Sequence, residues 1–412
     1  MSVRTQSVVR AIGSPSSSSK PLFWLLSLLL SLGLAACGGG GGGGDGADDG
    51  TDDGTNDDGT DDGTDGTDDG TDDGTTPDGG IEFEQVPLIE GLTTLAGVGI
   101  PAAQDGDRDH ALFNNPVNLV ITSDGDLIVA DFGNSLIRRV TPAGVVSTIS
   151  ETPAEGMFVR PFGMALVGDT LYVETDGNSL GQPGPPGGAL WSLPATGGAP
   201  VLVRDNIGRS RGLAALPDGR IAIADYQAHE ISLFDPSSGG LAVLAGMHNT
   251  PGYLDAQGAG ALFDEPYHIV VLPDDTLLVA DLQNHCLRQV DLAGNVTTYA
   301  GAGGVPGHVE GPLATARFNL PQGLTMDAAG NLYVTDLGNY RVRRISPEGE
   351  VSTIAGNGTA GYLDDADPLA GQLFGLEGVD VGADGYLYIA DGTRGDDKTN
   401  PPYHRIRRLT LE

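Results

Sequence analysis

Gly323 to Gly356 reads GLTMDAAGNLYVTDLGNYRVRRISPEGEVSTIAG, and the order of apolar and turn residues in this stretch decides the fold. Turn signals such as Ala329-Gly330 and Glu348-Gly349 cut it into four short runs. Within each run Val, Ile, Leu and Tyr alternate with polar residues at period two, which makes half-buried strands and not helices. The stretch is one blade-like unit of four antiparallel strands.

The unit recurs on both sides. Asn118 to Ser150 (NLVITSDGDLIVADFGNSLIRRVTPAGVVSTIS) and His268 to Gly301 (HIVVLPDDTLLVADLQNHCLRQVDLAGNVTTYAG) are near copies. Gly212 to Gly246 is a fifth-best match, Gly163 to Asp205 a more divergent one, and Val379 to Glu412 is a unit that stops after its third strand. An aspartate marks the repeat at Asp131, Asp225, Asp281, Asp336 and Asp391, with Thr175 standing in the divergent unit. From Asp225 onward the steps are 56, 55 and 55 residues. Six such units predict an all-β, six-bladed β-propeller of four-stranded antiparallel blades. The strand missing from the last unit stands ahead of the first: Gly91 to Gly97 (GLTTLAG) matches Val351 to Gly356 (VSTIAG). The N-terminal strand is therefore expected to complete the last blade and remove a free sheet edge.

The runs Asp281 to Leu287 (DLQNHCL) and Asp336 to Val342 (DLGNYRV) resemble the NHL repeat family, a likeness that extends from Gly91 to Glu412 and weakens in the second unit, where Gly181 to Ala189 is inserted. The resemblance implies a propeller that presents a binding surface. It leaves open an enzyme of the metal-dependent lactonase type or an NHL-type lyase, because a fold does not fix a function.

Ahead of the propeller the chain changes character. Arg4, Arg10 and Lys20 precede an apolar run of 14 residues, Pro21 to Leu34, too short for a membrane-spanning helix. Leu34-Ala35-Ala36-Cys37 follows and resembles a bacterial lipobox, so residues 1–36 read as a signal peptide and Cys37 as the lipidated residue. Gly38 after the cysteine points to the outer membrane. Residues 38–80 are almost only Gly, Asp and Thr, too poor in apolar side chains to offset the entropy of ordering. They read as a disordered tether, residues 37–80, carrying the propeller of residues 81–412 about 36 Å from the anchor. With Cys37 acylated, Cys286 has no disulfide partner and reads as a small buried hydrophobe.

Charge limits the partners. The chain carries 21 basic and 56 acidic residues, of which 3 and 15 precede Ile81, leaving the propeller 18 and 41 and a net −23. A nucleic-acid surface should be net basic, so the expected ligand is a protein, a peptide or a glycan, bound by a monomer.

Candidate site residues lie where the loops before each innermost strand emerge with the loop after the second strand, here called the top. Four of these loops are long: Val98 to Asn115, Met247 to Glu265, Ala302 to Leu320 and Asn357 to Leu376. Each pairs an acid with a phenylalanine: Asp105 and Phe113, Asp255 and Phe263, Glu310 and Phe318, Asp364 and Phe374. The phenylalanine is expected to pin the loop and the acid to cap a turn. Long loops would wall the top at blades four, five, six and one, leaving a notch at blades two and three. Arg160, Arg204, Arg209 and Arg211 flank that notch as a candidate anion site. Asn118, Glu265, Tyr267, His268, Gln322 and Glu377 are expected at the channel mouth, with all seven histidines on top-face segments, so a calcium or zinc ion there is a candidate cofactor.

The lipobox reading makes a direct prediction. Cys37→Ser should convert a globomycin-sensitive, detergent-phase protein into an unprocessed or soluble one, and equal partitioning of the two forms would sink it.

Overall fold

A computed structural model describes residues 88–182, 187–393 and 403–411. Cys37, the signal segment and the tether lie outside the described residues. The described residues form six antiparallel sheets of four strands, one widened by the two-residue strand Gly311–Pro312. From the axis outward the strands of each blade are called a to d. Blade one, for example, is Pro116–Ile121, Leu127–Asp131, Leu136–Val140 and Val146–Thr148. The other five a strands are Pro161–Val167, Ser210–Ala215, Pro266–Val271, Pro321–Met326 and Gly375–Val381. Each touches the next, and the last touches the first, so the ring closes.

Closure follows the expected register. Leu92–Ala96 pairs antiparallel with Arg405–Thr410, Leu92 opposite Leu409 and Thr94 opposite Arg407. Leu92, Leu95 and Ala96 are buried, so the strand is sealed by packing as well as by its ladder. Alternate residues of the b strands pack against neighbouring blades on both faces, which is why Leu127–Asp131, Leu277–Asp281 and Leu332–Asp336 are buried throughout. Cys286 is free and buried, and burial pushes its thiol well above the usual range.

The recurrent aspartate is the centre of a buried ion pair. Asp131 at the end of strand b accepts from Arg138 Nη1 at 2.8 Å, from Asn134 Nδ2 at 2.8 Å and from the Asn114 backbone N–H at 2.8 Å. Arg138 is fully buried in strand c, and its Nη2 reaches Asp105 of the preceding loop at 2.7 Å. Its two nitrogens also donate to the carbonyls of Leu112 and Gln104. The arrangement repeats as Asp281–Arg288–Asp255 and Asp391–Arg407–Asp364. In blade five Arg343 holds Asp336 and the Val309 carbonyl, while Glu310 takes the Thr353 backbone N–H. Burial pushes the carboxyls of Asp131, Asp281 and Asp336 up to about 6 despite the arginine beside each.

The four long loops are thus fastened differently from the sequence expectation. Asp105, Asp255 and Asp364 bridge the buried arginine to strand d, as when Asp105 accepts from Thr148 N at 2.9 Å, while Glu310 bonds strand d alone. The loops also run over the outer edge of the next blade: Gly106 exchanges backbone hydrogen bonds with Val146, and Gly311–Pro312 pairs with strand d of blade five, while at the turns after strand b Asn134, Asn284 and Asn339 donate to the loop carbonyls of Ala102, Gly252 and Gly307. Phe113, Phe263 and Phe318 are fully buried as expected. In blade six that place belongs to Leu373, one residue before Phe374, because the loop is one residue longer between its acid and its anchor.

Blades two and three have short loops and no arginine at this strand-c position. Blade two replaces the ion pair by a neutral one: Trp191 occupies the arginine position opposite Val173, and its Nε1–H donates to Thr175 Oγ1 at 3.0 Å. Blade three has Ser232 there, and Asp225 accepts from the backbone N–H groups of Gln227 and Ala228.

Removing one partner of a buried pair leaves an uncompensated charge and costs about 3–5 kcal/mol. Arg288→Met should lose about that much in chemical denaturation, whereas Arg220→Met, whose arginine lies at the surface beside Asp218, should lose under about 1 kcal/mol.

Candidate functional site at the axial channel

Every a strand carries a bulge just after the residue that pairs with the marker position at the end of strand b, which turns the next residue toward the axis. The six side chains at this position are Val117, Phe162, Arg211, Tyr267, Gln322 and Glu377, all buried. They form one layer across the top of the channel, and no two are the same residue. The next layer is Asn118, Gly163, Gly212, His268, Gly323 and Gly378. Glycine dominates because the a strands approach closely: a Cβ on Gly212 would stand 2.6 Å from the Tyr267 carbonyl, and one on Gly378 2.6 Å from Asn118 Cα. Below lies a cavity of ≈ 270 Å³ lined in part by Met164, His268, Thr325 and Asp380.

Polarity is concentrated on one side of the top layer. Asp176, just past strand b of blade two, accepts from Arg211 Nη1 at 2.6 Å and from Arg209 Nε and Nη2 at 3.0 Å each. Burial alone would raise the Asp176 carboxyl, but Arg211 and then Arg209 outweigh it and hold it below its ordinary value. Glu174, fully buried two residues earlier, is pushed well up by burial and by the Asp176 charge; Oε1 accepts from Ser210 N at 3.2 Å, and Oε2 has no hydrogen-bond partner among the described residues. Tyr267 donates to Glu377 Oε2 at 3.4 Å across the mouth. Glu265 accepts from Gln283 Nε2 at 2.8 Å, and burial followed by Glu265 raises the neighbouring Tyr226 hydroxyl.

Four aromatic rings run beneath these charges. Phe132, Phe162, Tyr267 and Tyr226 meet edge-to-face in sequence, with centroids 5.9, 5.8 and 5.8 Å apart. The Arg211 guanidinium lies 4.0 Å from the Phe162 centroid and 5.5 Å from that of Tyr226. Arg209 stands 5.7 Å from Tyr226 and Arg160 5.8 Å from Phe132. Such an alternation of ring faces, guanidinium groups and carboxylates suits a ligand that offers apolar patches and many hydroxyls.

The expected residues are thus partly gathered. Arg160, Arg209 and Arg211 line one belt, but Arg204 does not join them: it donates to the Gly239 carbonyl of the neighbouring hairpin. Arg209 and Arg211 are committed to Asp176 and do not form a bare anion site. Tyr267, Gln322 and Glu377 are in the top layer, with Glu265 at its rim. Asn118 and His268 sit one layer deeper; the Oδ1 of Asn118 accepts from Leu119 N, while its Nδ2 and Gln322 Oε1 are buried without hydrogen-bond partners among the described residues. His268 does not belong to the top face. Its Nδ1 accepts from Leu324 N at 3.3 Å, and burial lowers it to about 4, so it is neutral at every physiological pH. Among the described residues no three His, Cys, Asp or Glu side chains gather as a metal site. Glu174, Asp176, Phe132, Phe162 and Tyr226 were not singled out by sequence; aligning the repeats at the second residue of strand a would have exposed Phe162.

Three other histidines clip blades together. His229, His285 and His404, all at positive φ ahead of strand c, accept through Nδ1 from the backbone N–H of Glu265, Leu320 and Asn115 at 3.0, 3.1 and 2.8 Å. Ser135 does the same for Arg160 in blade one at 3.1 Å.

The family model described as NHL repeat matches residues 113–139 and 318–345, in blades one and five. NHL repeat-containing protein 2 of Bos taurus is 27% identical over 333 residues, covering 76% of this chain and 41% of that protein. The chain spans well under half the length of the curated relatives it matches. Among solved structures, a structural genomics protein of unknown function from Bacteroides thetaiotaomicron aligns with a TM-score of 0.62 at 18% identity, covering 78% of this chain and 76% of that one. An auxiliary nutrient binding protein from the same organism aligns with a TM-score of 0.60 at 18% identity, covering 77% and 75%. At that identity the likeness is one of fold.

The histidine clips carry a pH signature. Burial lowers His285, and burial followed by Arg405 lowers His404. A depressed histidine contributes stability that is present above its unfolded value of about 6.5 and lost as pH falls below it. His285→Ser, which keeps an acceptor as Ser135 does, should show a smaller drop in melting temperature from pH 7.5 to 5.5 than wild type. An unchanged drop would remove His285 from the account.

Proposed function

We propose that this six-bladed propeller, which carries NHL repeats at residues 113–139 and 318–345, is a lipid-anchored envelope protein that binds a glycan at the top of its axial channel. The observation that carries the reading is the belt of Phe132, Phe162, Tyr267 and Tyr226 set with Arg160, Arg209 and Arg211 and faced by Asp176, Glu265 and Glu377. A sugar ring offers axial hydrogens to an aromatic face and paired hydroxyls to planar guanidinium and carboxylate groups. The belt is nearly balanced in charge, which favours neutral sugars and tolerates uronic acids. The description of one structural neighbour as an auxiliary nutrient binding protein supports the same use here. Anchoring through Cys37 with residues 38–80 as a spacer would hold such a mouth away from the outer membrane, where a polymer is met.

The test is titration of the purified propeller with neutral and uronic-acid oligosaccharides. Arg209 and Tyr226 stand at the rim and are only partly buried. Tyr226→Ala and Arg209→Ala should each weaken the best oligosaccharide by about tenfold, the loss of roughly 1.4 kcal/mol of stacking or polar contact, with the melting temperature held within a few degrees. Affinities unchanged in both variants would move the site elsewhere.

A further inference from the structure

The outer edge of a propeller blade exposes backbone N–H groups, and this chain covers them blade by blade. Two outward N–H groups of strand d recur: one on the residue opposite the strand-c arginine, the other two residues earlier. In blade one these are Thr148 and Val146, which donate to Asp105 Oδ2 at 2.9 Å and to the Gly106 carbonyl at 2.7 Å. In blade four they are Thr298 and Val296, donating to Asp255 at 3.0 Å and Ala256 at 2.8 Å. In blade six they are Thr94 and Leu92, donating to Asp364 at 2.8 Å and Asp365 at 3.0 Å. Blade five uses Glu310 on Thr353 and the short strand Gly311–Pro312 beside Val351.

The two blades without long loops differ from each other. In blade two the corresponding residues are Leu202, opposite Trp191, and Pro200. Proline has no N–H, so that edge is blunted chemically. In blade three they are Val243, opposite Ser232, and Leu241, within strand d Gly240–Gly246 (GLAVLAG). No acceptor from outside the blade meets either N–H among the described residues, and Val243 is 54% exposed. The strand carries no charge and no proline, the devices that usually keep an edge from pairing.

We propose that this edge of blade three accepts an extended segment of a partner protein by strand addition, and that the segment is apolar at alternate positions with lysine or arginine at its ends. A carboxylate cap like Asp105 is disfavoured here: Ser232 replaces the buried arginine, and Val243 lacks the hydroxyl with which Thr148 also binds Asp105. Main-chain carbonyls are the remaining acceptors that fit two N–H groups spaced two residues apart. The charge pattern supplies the ends. On strand c, Glu230 lies opposite Gly246 and Asp235 opposite Gly240. Because both intervening residues are glycines, a basic side chain on an added strand can reach over them toward each acid. Glu230 also faces His248, at 3.1 Å, and the Arg204 guanidinium stands at the Gly239 carbonyl near Asp235, so Asp235 and Glu230 share the ends with these groups. The 3₁₀ turn Gly258–Gly260 lies against part of this strand without bonding Leu241 or Val243. A second copy is a poorer occupant, since each propeller carries a net −23.

The probe is a fluorescent heptapeptide, Lys-Val-Thr-Val-Thr-Val-Lys, with its Glu-flanked counterpart as control. Binding of the basic peptide should slow amide exchange at Leu241 and Val243, and the Glu-flanked peptide should bind at least about tenfold more weakly. Val243→Pro, which copies Pro200, should abolish binding; Val243→Lys, at an exposed position, tests the same edge if the proline variant does not fold. Asp235→Asn should weaken binding by about two- to fivefold, as for one exposed ion pair. Equal binding of both peptides, unchanged exchange at the two amides, or wild-type binding by Val243→Lys would overturn the proposal. So would protection of these amides by self-association in the absence of peptide, which would make a second copy the occupant.

Discussion

Four guanidinium groups, each sealed inside a blade, hold this propeller's perimeter together. Arg138, Arg288, Arg343 and Arg407 have no exposed surface, yet each satisfies a carboxylate of its own blade and two carbonyls of the loop that precedes it. Such a fork is stable only with its partners complete, because a lone buried charge costs more than the pair gains. One strand-c position therefore dictates the length, path and composition of a loop lying about 33 residues earlier. Where the arginine is absent the loop is short, and the blade edge must be managed by other means.

The repeat period, the marker aspartate and the closing strand were legible in sequence because they are local patterns or copies of one another. The fork was not. Period-two alternation assigns Arg138 to the polar side of its strand, and nothing local says that this side is covered by a loop contributed from before strand a. The substitution of Thr175 for aspartate looked like decay of the repeat; with Trp191 in view it is half of a compensated exchange. The channel was legible in part. Tyr267, Gln322 and Glu377 were expected at the channel mouth and stand in its top layer, above the glycines of the neighbouring blades. Arg209 and Arg211 stood out by scarcity, but their partner Asp176 lies 33 and 35 residues away in the most divergent blade. Phe374 was misplaced by one residue because an insertion of that size is invisible to spacing alone.

Symmetry and chemistry divide the molecule between them. Strand ends, histidine clips and glycine layers repeat around the ring and serve the fold. The top layer does not repeat: six equivalent positions hold six different side chains, and its arginine, Arg211, lies in one blade without a fork and is bound to Asp176 of the other. A repeat architecture can tolerate this because each blade touches only its neighbours, so two blades can diverge without loosening the other four.

The closing strand also imposes an order on folding. Leu92–Ala96 is synthesised before every other described strand, and its partner Arg405–Thr410 after all of them. Five blades can form from contiguous sequence, but the sixth waits for a contact spanning more than 300 residues of chain, the slowest class of event in two-state folding. Until then the ring is open, with a raw edge on each side of the gap and the apolar faces of blades five, six and one uncovered. The longer that interval lasts, the longer those edges and faces stand open to aggregation and proteolysis, so the rate of ring closure matters beside the stability of the finished ring.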